Sequence, residues 1–412
     1  MSANSSASPT TKSAFTVVRT PRTPLAWKNL VHDWRRLVLS ASGVAFAAVL
    51  IFTQNGFRNA LLDSPVQLID MVDASLIAIS KARYMLPVNQ RFDRDLLRRI
   101  QTDPDVVDVR PMYIERLMAR VRVKDHPSRP IRVIAVPTDS DAQDQPWLDI
   151  DGLAEQRYRL RRPGTALVDL KSREEFAFEF DGDQQPRSQV VELADQRINL
   201  VGSVTIGTDF ANEGTLLISD ESFADYFSLR NSGRPLETVD LGLIRLREGS
   251  DAVEAAKRLQ AMAPNQWEVL TSDQLKRRES AFWSSQTPVG IIFSIGVVMG
   301  FAVGVIICYQ ILFTSLQDAM SEFATLKAMG YPNRFFISLV VRQSLYLSLF
   351  GFIPAVVISY GLFGYLEWLS GLPMRLTLGR MASVLGLTSA MCLVSGLLAM
   401  RKLLHADPAS LF

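Results

Sequence analysis

Four long apolar stretches stand out from an otherwise mixed pattern of apolar and polar residues. They lie between Arg36 and Arg58, between Ser280 and Gln317, between Arg342 and Glu367, and over Met381–Met400. A helix of about 20 apolar residues crosses the roughly 30 Å hydrocarbon layer of a bilayer. The pattern therefore predicts four transmembrane helices, with one long polar segment between the first and the second.

The predicted fold class is an α-helical membrane domain of four transmembrane helices, with a large α+β extracytoplasmic domain inserted between helices 1 and 2. The inserted domain spans 58–285 and is long enough to form its own core. The remaining segments are a disordered tail (1–22), an amphipathic helix and the first span (23–57), the second span (286–314), a loop with a short helix (315–336), the third span (337–366), an outer loop (367–380), the fourth span (381–401) and a tail (402–412).

The first apolar stretch has two interpretations, a cleaved signal peptide or an uncleaved anchor. Its charged leader and its apolar core are both long, and no good small-x-small cleavage motif follows it. These features favour the anchor.

Basic residues near the ends of the spans predict the orientation of the chain, because short cytoplasmic flanks are rich in Lys and Arg. Such residues precede the first span, separate the second from the third and follow the fourth: Arg22, Lys28, Arg35, Arg36, Lys327, Arg334, Arg401 and Lys402. Both termini are therefore expected in the cytoplasm. Arg375 and Arg380 lie in the loop between the third and fourth spans and run against this rule, although the number of spans requires that loop to be outside.

The inserted domain alternates strand and helix patterns at both of its ends. Near its start, SLIAIS and VVDVRPMYIERLMARVRV predict strands on either side of the helix RFDRDLLRRIQ. Near its end, DLGLIRLR and QWEVLT predict strands around the helix SDAVEAAKRLQAM, with Ser250 as its N-cap. We expect these βαβ-like units to form one membrane-proximal subdomain. The segment at about 137–235 reads mostly as strands and predicts a second, β-rich subdomain.

The sequence DQLKRRESAFW predicts a helix just before the second span, with Asp273 near its start. We expect this helix to continue into the membrane as a stalk that carries motion to the inserted domain.

Composition limits the possible functions. The net charge of +2 over 412 residues gives no indication of nucleic-acid binding. Cys308 and Cys392 lie in apolar runs and are interpreted as buried small side chains, and the three histidines are too scattered for a metal site. The sequence contains no catalytic set and no G-x-x-x-x-G-K-[ST] phosphate loop. We therefore expect neither enzymatic activity nor a bound cofactor or metal in this chain.

The segment SEFATLKAMGYPNRFF (321–336) predicts a short helix between the second and third spans. Gly330 can adopt the left-handed conformation that ends a helix, and Pro332 prevents its continuation. Phe323, Leu326 and Met329 recur at helical spacing. One interpretation is a plain connecting helix at the membrane surface; the other is a coupling helix that docks into an ATPase.

Gly296, Gly300 and Gly304 form a GxxxGxxxG series on one face of the second span. Small residues at this spacing let two helices approach closely. The series therefore indicates either packing within the chain or contact between two copies of it.

Several motifs resemble those of FtsX/MacB-type permeases, and DevC-like permeases in particular. The string CYQILFTSLQDAMSEFATLKAMGYPNRF resembles the hallmark of these permeases, PLAWKNLVHDWRRLVLSASGVAFAAVLIFTQNGFRNALLDS (24–64) resembles the DevC start, and DPASLF at Asp407–Phe412 resembles the common tail. The resemblance implies coupling to an ATPase through the following residues: Glu322, Phe323, Ala324, Thr325, Leu326, Lys327, Ala328, Met329, Gly330 and Tyr331.

The resemblance also implies partners and a location. Such permeases are homodimers of the bacterial inner membrane and recruit separate cytoplasmic ABC ATPase subunits, which bind the ATP. DevC-like proteins resemble components of tripartite exporters that add a periplasmic adaptor and an outer-membrane channel. The implied mechanism is mechanotransmission, in which ATPase cycles drive the extracytoplasmic domain without a pore through the four helices.

Three functions follow from these features. The first is a permease subunit for export of a lipid-like or amphiphilic compound, or of a toxic small molecule, through a tripartite assembly. The second is an FtsX-like regulatory subunit that acts on a cell-wall hydrolase or another periplasmic partner. The third, a membrane-anchored binding module without an ATPase, is disfavoured by the motif at 322–331.

Overall fold

The computed structural model describes residues 34–136, 147–181, 186 and 189–404. The predictions for the N-terminal tail, for most of the amphipathic helix before the first span and for the DPASLF tail lie outside the described residues. Two parts make up the described chain: a bundle of four long helices and one α/β domain inserted between the first and second of them.

In chain order, the elements up to the middle of the inserted domain are α1 (Trp34–Asp63), α2 (Gln67–Asp70), β1 (Leu76–Ser80), β2 (Phe92–Asp93), α3 (Asp95–Ile100), β3 (Val106–Glu115), β4 (Arg120–Arg122), β5 (Arg129–Pro130), β6 (Arg132–Val136), α4 (Leu153–Gln156) and β7 (Thr165–Asp169). The rest are β8 (Gln189–Leu193), β9 (Gln196–Val204), β10 (Thr215–Ser219), α5 (Asp220–Tyr226), β11 (Thr238–Val239), β12 (Leu241–Leu246), α6 (Ala252–Ala261), β13 (Trp267–Thr271), α7 (Ser272–Ser285), α8 (Pro288–Asp318), α9 (Met320–Ala328), α10 (Asn333–Ser370) and α11 (Leu378–Leu404). Short 3₁₀ turns connect some of them.

The four long helices α1, α8, α10 and α11 are each long and apolar enough to cross a membrane. They form a closed ring in which α1 packs against α8 and α10, and α11 packs against the same two helices. Buried side chains such as Val44, Ile51, Leu312 and Val340 fill its centre. We call the end of the bundle that carries the α/β domain the domain end, and the opposite end the far end.

Eleven strands of the α/β domain form one continuous sheet, in the order β13-β1-β12-β3-β6-β10-β7-β9-β8-β4-β5. The first four of these strands come from the two ends of the inserted segment. Each of the connections β1-α3-β3 and β12-α6-β13 is a split βαβ unit, because a strand of the other unit lies between its two strands. This interlocking ties the start of the insertion to its end and brings the two end units together in one half of the sheet.

The outer half of the sheet differs from its predicted extent. It contains β4, β5 and β6, so it begins before residue 137, and β3 joins it to the inner half through three residue pairs with β6. Apolar clusters cover both faces of the sheet, one around Tyr113, Phe223 and Trp267 and the other around Ile77, Leu167 and Leu217. With four membrane-spanning helices and this inserted α/β domain, the predicted fold class is confirmed.

One predicted helix cap differs from the structure. Helix α6 begins at Asp251, whose side chain accepts hydrogen bonds from the backbone N–H groups of Val253 and Glu254, so the assignment of its N-cap to Ser250 is wrong. Helix α7 has Asp273 in its first turn, near the start of the helix as expected, and its capping residue is Thr271, which forms a reciprocal pair with Gln274.

Candidate functional site

The short helix α9 at the far end of the bundle has the local structure that the sequence predicts. Its last turn closes with hydrogen bonds from Gly330 N–H to the Lys327 carbonyl and from Tyr331 N–H to the Leu326 carbonyl, the two bonds of a Schellman motif. Gly330 has φ +90°, a conformation that favours glycine. Pro332 is extended and α10 starts directly after it. The turn therefore fixes α9 against the start of α10.

Two side chains attach α9 to the rest of the bundle. Phe323 is buried and packs edge-on against Phe336 of α10, with ring centroids 5.5 Å apart. Leu326 is half-buried against the same cluster. Met329 shares their spacing in sequence, but 63% of it is exposed. Only the first two are therefore positioned as anchors, and a substitution at Leu326 tests packing within the chain as much as coupling.

The other predicted coupling residues of the segment face outward. They are exposed along the outer face of the helix and its cap: Glu322, Ala324, Thr325, Lys327, Ala328, Met329, Gly330 and Tyr331. The carboxylate of Glu322 and the ammonium of Lys327 form no ion pair with any residue in the described part of the chain. The helix thus presents one negative charge, one positive charge and small residues between them on a single accessible surface, which we call the α9 surface.

The glycine series on α8 is used for packing within the chain. A Cβ atom at Gly296 would lie 2.5 Å from Gln54 Oε1, and one at Gly304 would lie 2.1 Å from Met391 Sδ. Gly300 is buried and faces Ile51. Helices α1 and α11 of the same chain therefore occupy this face. These contacts support the interpretation of the series as packing within the chain.

Helix α7 does not continue into α8, and the prediction of one uninterrupted stalk is wrong. Thr287 separates the two helices: its hydroxyl donates to the Trp283 carbonyl (2.7 Å) and accepts from Gly290 N–H (3.1 Å). Pro288 follows at the first helical position, where a missing N–H costs nothing. A Cβ at Gly290 would lie 2.0 Å from the Trp283 carbonyl oxygen. The junction is thus a tight bend with its own hydrogen bonds.

A buried carboxylate connects α7 to the loop after β1. Glu279 accepts hydrogen bonds from Leu86 N–H (3.0 and 3.1 Å) and from Trp283 Nε1 (2.9 Å). Burial raises the pKa of Glu279, while these hydrogen bonds and the nearby charges of Arg278 and Arg83 oppose that rise. Arg278 also donates to the Arg83 carbonyl. Two residues of α7 are therefore hydrogen-bonded to this loop.

The same loop enters a buried ion cluster in the α/β domain. Asp240 accepts from Arg83 Nη2 (2.7 Å), from Arg230 and from the N–H of Ile114, and Arg91 lies 3.4 Å away. Glu115 pairs with Arg91 at 2.9 Å. Burial lowers the pKa of the Arg83 guanidinium. The cluster joins three stretches that are far apart in sequence: the loop after β1, the end of β3 and residues 230–240. Direct hydrogen bonds thus connect α7, through this loop, to the core of the domain.

A second connection links the loop between α10 and α11 to the outer half of the sheet. The Thr208 hydroxyl donates to the Gly371 carbonyl at 2.6 Å, and Lys171 Nζ lies 3.9 Å from Glu367 Oε1. Asp169 fixes the Thr208 segment by accepting from Ile206 N–H and Gly207 N–H. Burial raises the pKa of Asp169. Both pairs of membrane helices are therefore attached to the domain.

Cys308 and Cys392 are brought together by α8 and α11, with their Sγ atoms 3.8 Å apart, and both are buried and free. This contact could not be predicted from the sequence, because the two residues are separated by 84 positions. No group of three or more His, Cys, Asp or Glu side chains that could hold a metal is present in the described part of the chain.

Comparison with known proteins finds a family model that matches one segment of the chain. Residues 293–408 match the family model described as FtsX-like permease C-terminal. This match confirms the resemblance to FtsX/MacB-type permeases over that segment, and with four apolar helices it indicates a membrane protein. The closer likeness to DevC-like permeases stays a prediction. No curated protein matches the chain.

Solved structures of extracellular permease domains resemble part of the chain. The periplasmic region of MacB from Actinobacillus actinomycetemcomitans is 10% identical, covers 51% of this chain and 94% of its own, and has a TM-score of 0.33. The extracellular domain of the noncanonic ABC-type transporter YknZ from Gram-positive bacteria is 10% identical, with 48% and 99% coverage and a TM-score of 0.32. A domain of a putative permease protein from Porphyromonas gingivalis is 11% identical, with 48% and 89% coverage and a TM-score of 0.31. Likenesses at these scores support no conclusion on function.

Proposed function

We propose that this chain is the permease subunit of an ABC-type exporter, in which a separate cytoplasmic ATPase drives the α/β domain through the membrane helices. The observation that carries the proposal is the α9 surface: a short helix, anchored by Phe323 and Leu326, that presents the exposed charges of Glu322 and Lys327 at the far end of the bundle. The family match at 293–408 includes this helix.

The geometry of α9 suits a docking element. Its anchors and its cap connect it to α8 and α10, so a force applied to α9 acts on two membrane helices directly. The outer face of α9 carries the small side chains of Ala324 and Ala328, which allow a partner to approach the helix closely. Charged residues at the rim of such a surface favour correct orientation and rapid association.

Transmission to the domain follows the two connections at the domain end. Helix α8 acts on α7 across the bend at Thr287, and Glu279 and Arg278 pass this movement to the loop after β1. Helices α10 and α11 act on the outer half of the sheet through Gly371 and Thr208. In this mechanism the four helices transmit movement, and the substrate is handled by the α/β domain on the outer side of a bacterial inner membrane.

The finer parts of the proposal come from the resemblance to DevC-like permeases. The chain acts as a homodimer with cytoplasmic termini, the ATP is bound by the partner ATPase, and a periplasmic adaptor and an outer-membrane channel complete a tripartite assembly for a lipid-like or amphiphilic compound. Because the glycine face of α8 is occupied within the chain, we assign the contact between the two copies to another surface.

Affinity capture of the full-length, detergent-solubilised protein, followed by mass spectrometry, tests the proposal. We expect an ABC ATPase together with a periplasmic adaptor. Reversing both exposed charges of α9 (Glu322→Lys with Lys327→Glu) should remove the ATPase, whereas reversing Glu254, an exposed carboxylate on α6 of the α/β domain, should leave it bound. Capture of an ATPase with a cell-wall hydrolase instead of an adaptor would favour the FtsX-like regulatory function. Absence of any ATPase would overturn both.

A further inference from the structure

A polar cavity of about 460 Å³ lies between α1, α8 and α11 near the domain end of the bundle. Polar side chains line most of it, and apolar ones line its remaining wall: Asn55, Arg58, Asn59, Ser294, Val297, Arg380, Ser383 and Leu387. The three α1 residues lie towards the end of that helix, and the other lining residues lie in the first turns of α8 and α11, so the cavity is near the domain end of three helices that are apolar enough to cross a membrane. The volume is in the range of roughly 300–1,000 Å³ that small-molecule sites occupy.

Helix α1 supplies three of the polar groups from one face. Asn55, Arg58 and Asn59 are three and four positions apart, so their side chains are neighbours on the helix surface. The guanidinium of Arg58 and the two amides form no hydrogen bond or ion pair with any other residue between 34 and 404 that the structure describes. A cation on an apolar helix is costly unless it reaches water or an anion. The cavity is the place where Arg58 can meet one.

Arg380 on α11 completes the set of donors. Its guanidinium pairs with Asp63 and donates to the Arg375 carbonyl at 3.0 Å, which fixes the position of the side chain at the rim of the cavity. Asp63 lies outside the lining and balances the charge of Arg380, and the lining itself contains no carboxylate. The cavity therefore has a net positive charge that comes from Arg58.

This arrangement selects a particular class of ligand. Guanidinium groups bind phosphate oxygens through paired, charge-assisted hydrogen bonds, and amide N–H groups add neutral donors. Val297 and Leu387 line the same cavity, and the neighbouring positions Val298 and Ile295 of α8 are exposed at the surface of the bundle. A ligand with a phosphate head and an apolar tail fits both features.

We propose that this cavity binds the phosphate group of an amphiphile in the membrane leaflet next to the α/β domain. Arg58, Asn55 and Asn59 contact the phosphate, Arg380 acts at the rim, and the apolar tail lies along the exposed side of α8. The site depends on residues of one chain only and is independent of the coupling to an ATPase proposed above.

Native mass spectrometry of the full-length protein with added phosphatidylglycerol tests this site. We expect one tightly bound lipid per chain. Arg58→Gln should weaken its binding about tenfold, because a charge-assisted hydrogen bond is lost, and Asn59→Ala should weaken it about threefold. Arg58→Lys should retain an intermediate affinity, because it keeps the charge but loses the paired donors. The control is Arg375→Gln, since Arg375 is exposed at the same end of the bundle and does not line the cavity.

Two further measurements distinguish the sources of the phosphate and exclude misfolding. Competition by soluble glycerol phosphate would assign the site to a free phosphate compound, and failure to compete would assign it to a lipid. Thermal melting should be unchanged in Arg58→Gln, because Arg58 has no partner to lose among the described residues. Equal affinity in Arg58→Gln and the wild type, or an equal loss in Arg375→Gln, would overturn the proposal.

Discussion

The α/β domain and the helix bundle are stabilised in different ways. The centre of the domain contains a cluster of three arginines and two carboxylates, in which Asp240 and Glu115 are fully buried. The centre of the bundle contains small residues instead, such as Gly304 against Met391 and Gly351 against Val44. The α/β domain therefore depends on pairing of its buried charges, and the helix bundle depends on side chains that are small enough to let the helices pack closely.

The difference follows from the solvent of each region. In water, removing one member of a buried ion pair leaves the other without a partner, and this costs far more than the pair itself contributes. In a bilayer the lipid tails are as apolar as the helices, so close packing of small residues has to drive helix association. We therefore expect the domain to tolerate changes in side-chain volume better than changes in side-chain charge. We expect the opposite for the bundle.

The largest effect is expected for Asp240→Asn. This change leaves Arg83 and Arg230 without their shared carboxylate, and we expect the domain to lose about 3–5 kcal/mol of unfolding free energy. Denaturant unfolding of the full-length protein measures the loss. Asp225→Asn is the control, because Asp225 is exposed on α5. Similar stability of the two variants would contradict the role given to the ion cluster.

A smaller effect is expected in the bundle for Gly304→Leu. A Cβ added at Gly304 would lie 2.1 Å from Met391 Sδ and 3.2 Å from Ala47 Cβ. The larger leucine side chain must therefore separate α8 from α11 and α1, at a cost of about 1–3 kcal/mol of stability. The melting temperature in detergent should fall. Gly386→Leu is the matched control, since no heavy atom lies within 4 Å of a Cβ at Gly386. An equal effect at both glycines would show that this face is not close-packed.

The smallest effect concerns Glu279, where the domain meets the bundle. Its folded pKa is raised above the ordinary value of 4.5 by burial, so the folded state keeps a proton that the unfolded state releases. The stability from this proton is complete below about pH 4.5 and is lost as pH rises through the folded pKa. The wild type should therefore lose stability relative to Glu279→Gln as pH increases from about 4 to 8. A parallel pH dependence of the two melting curves would contradict this assignment.

Local signals in the sequence predicted much of the structure. The four apolar stretches gave the spans, and Gly330 with Pro332 gave the end of α9, because each signal acts within one helix or turn. The junction of α7 and α8 was missed although Thr287-Pro288 is a typical helix start; the apolar pattern across it suggested continuity. The ion cluster around Asp240 could not be predicted, since its members come from segments that only the sheet topology brings together.

The glycine series of α8 shows a different limit of prediction from the sequence. Its spacing predicts a close helix contact but contains no information on which helix makes it. Only the ring order of the bundle shows that α1 and α11 occupy this face. The cavity near Arg58 was hidden for the same reason, because its lining comes from three helices and no single helix contains a recognisable motif.

Site-specific photocrosslinking from α9 tests the central claim most directly. A photoreactive residue placed at Ala324 or Ala328 faces outward, while the same residue at Ser338, exposed on the neighbouring helix α10, serves as a control outside the α9 surface. The account predicts strong crosslinks from both α9 positions to an ABC ATPase in membranes, and weak ones from Ser338. If neither α9 position captures an ATPase while the protein is folded and inserted, α9 is only a connector between two spans, and the proposed coupling is wrong.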